Sequence, residues 1–214
     1  YTKSKFAIGV GNGTDAIYLS LASLNLSKSD KVLLQANAGG FSFNSCNRLG
    51  LKIKFVDCDK KNGQLLTEQL NSDNLKNAKV LIVSHLFGQI HPDIEKIKKI
   101  CDKNKIILIE DCAQAIGSFK DKKHAGSWGK ISTFSFYPIK NLGAFGDGGA
   151  IITNKKGIYQ KLIKLRNYGW GKKKFTNIIS NGINSRLDEI QSSILSFKLK
   201  SLDKDNKKRR EIAK

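Results

Sequence analysis

The sequence predicts an α/β domain in which helices flank a mostly parallel sheet. Short runs of β-branched and apolar residues alternate with helical patterns, which is typical of βαβ units. The runs VLIVS (80–84) and IILIE (106–110) are apolar on consecutive residues, as expected of strands covered by helices on both faces. A chain of 214 residues with 40% hydrophobic content can also bury one sizeable core.

Each element follows from its own pattern. Strands are expected where short apolar runs end at polar or turn residues, at 7–10, 31–35, 53–57, 79–87, 106–111, 131–136 and 149–154. Helices are expected where apolar residues recur every three or four positions, at 14–24, 93–104, 157–167 and 187–202. The segment YGWGKKKFTNIISNGINS between the last two helices is glycine-rich and polar, and it predicts a long loop that is functional or disordered.

The formal charge of +20 makes a polyanionic partner the first possibility to weigh. The lysines, however, are spread along the whole chain, and aromatic residues are not interleaved with them as a base-stacking surface requires. Composition therefore favours lysine-rich solvated faces, and no nucleic-acid partner is expected.

Cysteine usage and chain ends give weaker information. The four cysteines lie far apart, and no apolar run is long enough to cross a bilayer, which together predict a reducing cytoplasm without a metal site or a membrane partner. The chain contains no methionine and ends in the helix-prone KKRREIAK, so it is expected to be a fragment of a longer protein.

The segment GNGTDA (11–16) follows a predicted strand and opens a predicted helix. Gly11 and Gly13 allow a ligand to approach the backbone, and Asn12 or Thr14 can cap the helix. A helix N-terminus of this kind is a ready site for an anion such as phosphate. An ordinary tight turn explains the same residues, so this motif alone leaves both interpretations open.

The segment IEDCAQAIG (109–117) places Asp111 at the end of an apolar strand, where ligands of α/β sheets bind. A carboxylate there is partly desolvated and needs a cationic partner. Gln114 can donate a hydrogen bond to a ligand. The alternative is that Asp111 caps a helix and that Gln114 is its capping-box partner.

Lys140 stands in FSFYPIKNLGAFGDGGA (134–150), between an aromatic, proline-bearing run and a string of glycines. A lysine enclosed there can act as a nucleophilic amine that forms a Schiff base, although a lysine extending from a loop into solvent is the simpler interpretation of this stretch alone. Asp111 and Lys140 together match what pyridoxal phosphate (PLP) needs: an amine for its aldehyde and a carboxylate for its pyridine nitrogen. A glycine-rich helix N-terminus for the phosphate completes one predicted site.

These segments occur in a familiar order. GNGTDA, HLFGQ, IEDCAQAIGS, FSFYPIKNLGAFGDGGAI, LRNYG and GINSRLDEIQ resemble the motifs of the DegT/DnrJ/EryC1/StrS family of PLP-dependent sugar aminotransferases. The resemblance covers nearly the whole chain. It implies the fold type I, aspartate aminotransferase-like architecture, with a PLP-binding large domain over 1–200 and, at 201–214, the start of a connection to a small C-terminal domain that the chain lacks.

The resemblance also implies roles for individual residues. Lys140 corresponds to the lysine that binds the cofactor, Asp111 to the partner of the pyridine nitrogen, and Gln114 to the contact of the ring hydroxyl. Gly13, Thr14 and Ser135 correspond to phosphate-binding positions.

Two further positions depend on the alignment and on a second subunit. The family places an aromatic ring over the cofactor after the second strand; the stretch ANAGGFSFNS makes Phe41 the choice, with Phe43 as the alternative. An asparagine of the GINSR segment reaches the phosphate in the neighbouring subunit, which implies a shared site that contains Asn184 and a homodimer.

The activity implied is transfer of an amino group, from glutamate, to the keto group of a nucleotide-diphosphate-linked deoxysugar. Relatives that act as dehydratases carry histidine in place of the lysine, and Lys140 disfavours that variant. Another amino-acceptor, a lyase outcome, and a non-catalytic binding or regulatory protein remain alternatives. Lys172, Lys173 and Lys174 could meet the substrate diphosphate, although a solvated run of charges is the preferred interpretation.

Overall fold

The computed structural model describes residues 1–171, 175–176 and 178–213. Lys172, Lys173 and Lys174 lie outside the described residues. The strands are β1 (Phe6–Val10), β2 (Lys31–Gln35), β3 (Lys52–Val56), β4 (Ala78–Ser84), β5 (Ile107–Asp111), β6 (Phe119–Lys120), β7 (Lys123–His124), β8 (Ile131–Ser135) and β9 (Gly149–Thr153). The helices are α1 (Gly13–Ala22), α2 (Phe41–Arg48), α3 (Ser72–Leu75), α4 (Ile94–Lys103), α5 (Lys156–Leu165), α6 (Glu189–Leu199) and α7 (Leu202–Ile212).

The main sheet has seven strands in the order β1-β9-β8-β5-β4-β2-β3. β2 pairs in parallel with β3 and β4, and β5 pairs in parallel with β4 and β8. Only β9 is antiparallel to its neighbours β1 and β8 within this sheet. The predicted mostly parallel α/β sheet is therefore confirmed, and β6 and β7 form a separate small hairpin.

Helices cover both faces of the sheet, which explains the continuous apolar runs. On one face α1 and α5 pack against the sheet through Ile17, Leu21 and Leu162. On the other face α4 inserts Ile94 and Ile97, both fully buried. Each such side chain contributes roughly 1.5–3 kcal/mol of burial free energy, so the helices are held mainly by their apolar faces.

Helix α2 was not expected from its sequence, FSFNSCNR. Serine and asparagine compete with helical hydrogen bonds by bonding to nearby backbone, so local propensity is low here. The helix starts after Gly40, whose φ is 72°, and it buries Cys46 completely in the cluster that holds α1. Packing outside the segment decides this element.

Two predicted elements were too long. The run 79–87 ends as a strand at Ser84, and residues 86–88 form a 3-10 turn instead. The helix expected at 187–202 is α6 alone, followed by a break at Lys200 and Ser201 and then by α7. Leu202 explains the break, because its side chain is buried against the core near Leu195.

The apolar side chains of α6 do not all face the core of this chain. Ile190 is 74% exposed and Phe197 is 76% exposed. No helix among the described residues has the length and apolar character that a bilayer crossing requires.

Candidate active site

The carboxyl ends of β5 and β8 and the N-terminus of α1 surround a cavity of about 590 Å³. Most of the predicted site residues line it: Gly13, Thr14, Phe41, Asp111, Ser135 and Lys140. A second cavity of about 300 Å³ shares Phe41, Asp111 and Lys140 with the first and adds Gln114. Asp111 and Lys140 therefore lie where the two cavities adjoin.

Asp111 is the last residue of β5, and its carboxylate is held from two sides. Oδ1 accepts a hydrogen bond from the Ala113 N–H at 3.1 Å, and Oδ2 accepts one from the Ser84 hydroxyl at 3.2 Å. Burial raises the pKa of Asp111 above its ordinary value, and these hydrogen bonds and the charge of Lys140 offset only part of that effect. The carboxylate is thus short of a positive partner.

No helix follows Asp111, so the helix-cap interpretation is wrong. Residues 112–118 form turns, and the bond to Ala113 N–H belongs to such a turn. The role of Asp111 is accordingly not that of an N-cap.

Gln114 has a fixed orientation. Its Oε1 accepts a hydrogen bond from the Phe87 N–H at 2.8 Å. Because this bond occupies the carbonyl oxygen, the amide Nε2 is the group that Gln114 can offer to a ligand as a donor. The backbone of Phe87 adopts the left-handed conformation, with φ 56°. The Phe87 ring is 77% exposed.

Lys140 lies in a tight turn after β8. Its own N–H donates to the Tyr137 carbonyl at 2.8 Å, and the Ala144 N–H donates to the Phe136 carbonyl at 2.8 Å. A Cβ on Gly143 would lie 2.3 Å from the Pro138 carbonyl oxygen. This glycine therefore allows the turn to fold on itself, which fixes the position of the lysine rather than merely leaving space around it.

The N-terminus of α1 approaches β8 closely. The Asn12 side chain caps the helix by accepting the Asp15 N–H at 2.8 Å. The first-turn amides of Gly13 and Thr14 have no helical acceptor, because no turn of helix precedes them. A Cβ on Gly13 would lie 2.8 Å from the Ser135 Cβ, so only glycine lets the helix start this near Ser135. Amides and the Ser135 hydroxyl thereby converge at one end of the larger cavity.

A family model for the DegT/DnrJ/EryC1/StrS aminotransferase family matches residues 1–214. The chain belongs to this family. The dTDP-3-amino-3,6-dideoxy-alpha-D-galactopyranose transaminase of Aneurinibacillus thermoaerophilus is 42% identical over 213 residues, which are 100% of this chain and 58% of that protein. A pleiotropic regulatory protein of Geobacillus stearothermophilus is 38% identical over 213 residues, covering 100% of this chain and 56% of that protein.

Solved structures have the same fold. A DegT DnrJ EryC1 StrS aminotransferase from Brucella abortus matches with a TM-score of 0.90 and 31% identity over 95% of this chain and 56% of that one. NtdA from Bacillus subtilis, solved with the bound cofactor PMP, matches with a TM-score of 0.84 and 29% identity over 95% of this chain and 46% of that one. The predicted fold type I architecture is confirmed. This chain spans about half the length of these relatives.

Within the family site, the structure separates the two candidates for the aromatic ring. Phe41 is 56% exposed and lines both cavities. Phe43 instead stacks on Phe55, with ring centroids 6.1 Å apart. Of the two rings, Phe41 is therefore the one that borders the cavities beside Asp111.

Asn184 lines neither cavity. It is exposed, and its backbone forms a bridge to Asn167. Its neighbour Ser185 is buried and accepts the Gly11 N–H through Oγ at 2.8 Å, which fixes this segment beside the loop that opens α1.

Sequence reasoning missed a buried network behind the site. The Glu110 carboxylate is fully buried, and it accepts hydrogen bonds from His85 Nε2 at 2.9 Å, Gly126 N at 2.9 Å and Trp128 N at 2.7 Å, and also from Gly129 N. His85, Glu110 and Cys112 place potential ligand atoms within 4.8 Å of one another. Since Glu110 already accepts these bonds, the cluster braces β5 against residues 126–129 rather than forming a cation site.

Asp15, Tyr137 and Asp147 also line the larger cavity and were not singled out. Asp15 belongs to the first turn of α1, where a carboxylate stabilises the helix dipole. Asp15 could have been found from the sequence, because it stands three residues after the N-cap in GNGTDA and an acid at that position lies in the first turn of the helix.

Proposed function

We propose that this chain is the PLP-binding large domain of an aminotransferase that acts on nucleotide-diphosphate-linked deoxysugars. The observation that carries the proposal is that Asp111, Lys140 and Phe41 border both cavities, with Gln114 on one side and the N-terminus of α1 on the other. Family membership and transaminase relatives such as that of A. thermoaerophilus support it. We further propose that 201–214 begins the connection to a second, smaller domain.

The residues fit PLP on grounds of their own chemistry. Asp111 is a carboxylate whose pKa is raised by burial, and a protonated pyridine nitrogen is the cation that would restore its ionised form. Gln114 offers an amide donor, as a ring hydroxyl or phenolate oxygen requires. The free amides of Gly13 and Thr14 and the hydroxyl of Ser135 suit a phosphate.

When bound, PLP supplies an electron sink for bonds at the amino-bearing carbon. Lys140 would hold the cofactor through Nζ and, once displaced by the donor amine, would carry protons as a free amine. Asp111 would keep the pyridine nitrogen protonated, and Phe41 would cover the ring and exclude water. The tight Tyr137–Lys140 turn fixes the backbone position from which the Lys140 side chain extends into the site.

The substrates and assembly are proposed in the same way. Glutamate is the amino donor, and a keto group of the sugar is the acceptor. A homodimer in the cytoplasm shares its active sites, and each subunit contributes Asn184 to its neighbour's phosphate site. The exposure of Asn184, Ile190 and Phe197 supports a covering subunit.

A non-catalytic regulatory role is the second candidate, because one similar relative is named a pleiotropic regulatory protein. A lyase outcome or a different amino-acceptor is a variant of the main proposal. Lys140 favours catalysis, since a purely regulatory protein has no need of an amine at this position. Amino transfer from glutamate to a keto-sugar nucleotide would support the main proposal over these alternatives.

The first test is to incubate the intact protein with PLP, reduce it with borohydride and locate the modified lysine by mass spectrometry. We expect selective labelling of Lys140 and none in Lys140→Ala, whereas the matched surface variant Lys122→Ala should label normally. Equal labelling of wild type and Lys140→Ala in folded protein would overturn the cofactor assignment. Labelling without amino transfer to any dTDP-, GDP- or UDP-linked keto-sugar would favour the regulatory candidate.

A further inference from the structure

Lysines collect at the edge of the sheet opposite the cavities. Six strands of the main sheet run in one direction and begin at this edge, and the reversed strand β9 ends there. In one half of the sheet Lys31 opens β2, Lys52 opens β3, and Lys79 is the second residue of β4.

The other half repeats the pattern. Lys5 directly precedes β1, Lys130 directly precedes β8, Lys105 lies two residues before β5, and Lys155 lies two residues after β9. With neighbouring strands about 4.8 Å apart, seven strands carry these seven lysines in a row about 29 Å long. We call this set the lysine row.

Among the residues that the structure describes, the lysine row has few acids beside it and no short ion pair. None of its members forms an ion pair with another residue of the described part of the chain. Six of them are exposed, and Lys31 is half-buried, with its amine donating to the Asn74 carbonyl. Two carboxylates lie nearby: Asp102 pairs with Lys98, and Asp30 accepts the Ser27 N–H and is close enough to Lys79 for that charge to help lower its pKa.

The middle of the row borders a concave surface. A cavity of about 560 Å³ at this edge is lined by Lys105, Lys130 and Lys155, together with the ion pair of Lys98 and Asp102. Positive charges around a concave surface raise the local concentration of anions. Such a recess can seat a phosphate group between the lysines of adjacent strands.

The shape of the row indicates the kind of polyanion. It follows the edge of the sheet with one lysine at each strand, whereas anionic lipid binding uses broad basic clusters with apolar side chains that insert. Trp128 lines the cavity but is only 5% exposed, so it offers no platform on which unpaired bases could stack. A nucleic-acid duplex presents phosphates in continuous lines, and its binding needs neither inserting apolar side chains nor an aromatic surface for stacking.

We propose that the lysine row binds the sugar–phosphate backbone of a nucleic-acid duplex without regard to sequence. The sequence argued against such a partner because its lysines are scattered along the chain. The parallel topology gathers them, since it brings the start of nearly every strand to one edge.

The test compares two charge-matched variants of the intact protein. The row variant replaces Lys52, Lys79, Lys105 and Lys130 by Gln; the control replaces four exposed lysines away from this edge, Lys96, Lys122, Lys204 and Lys208, by Gln. Binding to a 25-base-pair DNA duplex of arbitrary sequence is measured by fluorescence anisotropy at several salt concentrations. Matching melting temperatures for the variants and the wild type establish that all three are folded.

We expect the row variant to bind the duplex at least about tenfold more weakly than the control does. The slope of log K against the logarithm of the salt concentration should be smaller by about 3.6 than for the control, or 0.9 for each lost phosphate contact. If the row variant and the control lose duplex affinity to within twofold of each other, the proposal is overturned, because net charge alone would then explain binding. Tighter binding to phosphatidylserine vesicles than to the duplex would overturn it in favour of a membrane surface.

Discussion

At the residue scale, Asp111 shows how burial and hydrogen bonding act against each other. It ends an apolar strand, so burial raises its pKa, while Ser84 and the Ala113 N–H stabilise the ionised form in part. Without a cation at the site, the folded protein therefore holds a carboxylate in an unfavourable environment. Function, not stability, explains an acid at this position.

Replacing Asp111 by Asn should stabilise the cofactor-free protein by about 0.5–2 kcal/mol at pH 8. The folded pKa is raised above the ordinary value of 3.8, so protonation favours the folded state at low pH, and that contribution is lost as the pH rises through the folded pKa. The difference in free energy of unfolding between Asp111→Asn and the wild type should accordingly grow between pH 4 and pH 8. Urea unfolding of both proteins across this range measures that difference.

The exposed carboxylate Asp121 provides the control, and Asp121→Asn should leave the pH profile unchanged. An Asp111→Asn protein that is less stable than the wild type throughout this range would show that the Ser84 and Ala113 hydrogen bonds outweigh burial. The same substitution should weaken amino transfer, because Asn does not stabilise a protonated pyridine nitrogen.

At the element scale, the turn at residues 86–88 links a strained backbone to the orientation of Gln114. Phe87 has φ 56°, and the next residue, Gly88, has φ 80°. The left-handed conformation directs the Phe87 N–H to Gln114 Oε1, while the Gly88 carbonyl accepts the Ser118 hydroxyl. The turn thus holds Gln114 with its amide donor free.

Replacing Phe87 by Gly should make the protein about 1 kcal/mol more stable than replacing it by Ala, because only Gly enters the left-handed region without a Cβ penalty. Both variants lose the exposed ring and keep the backbone N–H, so the difference between their free energies of unfolding reports the backbone conformation. Urea unfolding of the two variants measures it, and equal stabilities would mean that the turn relaxes without the phenyl ring.

At the scale of the whole molecule, the packed faces of the sheet control cysteine chemistry. Cys46, Cys101 and Cys112 are buried, and burial raises the pKa of the first two thiols to about 12 and that of Cys112 well above its ordinary value. Cys58 is half-buried on the loop after β3, where Sγ accepts the Asn37 N–H at 3.3 Å. The thiolate is the reactive form, so the fold separates one accessible thiol from three inert ones.

We expect a thiol reagent such as DTNB at pH 8 to modify one cysteine of the native protein rapidly and the other three only after unfolding. Cys58→Ser should remove the rapid phase. Rapid modification of two or more thiols in the native protein would show that at least one packed face opens on the timescale of the reaction.

The sequence determined most strands of the main sheet and the residue types that stand at the candidate site. Apolar runs such as 80–84 predicted strands buried on both faces because every side chain of such a strand must meet another layer. Asp111 and Lys140 were recognisable since a carboxylate and an amine at strand ends are unusual without a ligand. Their joint role in binding a cofactor is the proposal that the labelling experiment tests.

Only the tertiary structure decided features that depend on neighbours distant in the chain. Helix α2 forms from a segment of low helix propensity because Cys46 packs beside α1. Gln114 takes its orientation from Phe87, twenty-seven residues earlier. The lysine row arises because parallel strands align their starting residues, and a position along the chain does not reveal which edge of the sheet it will reach until the strand order is known.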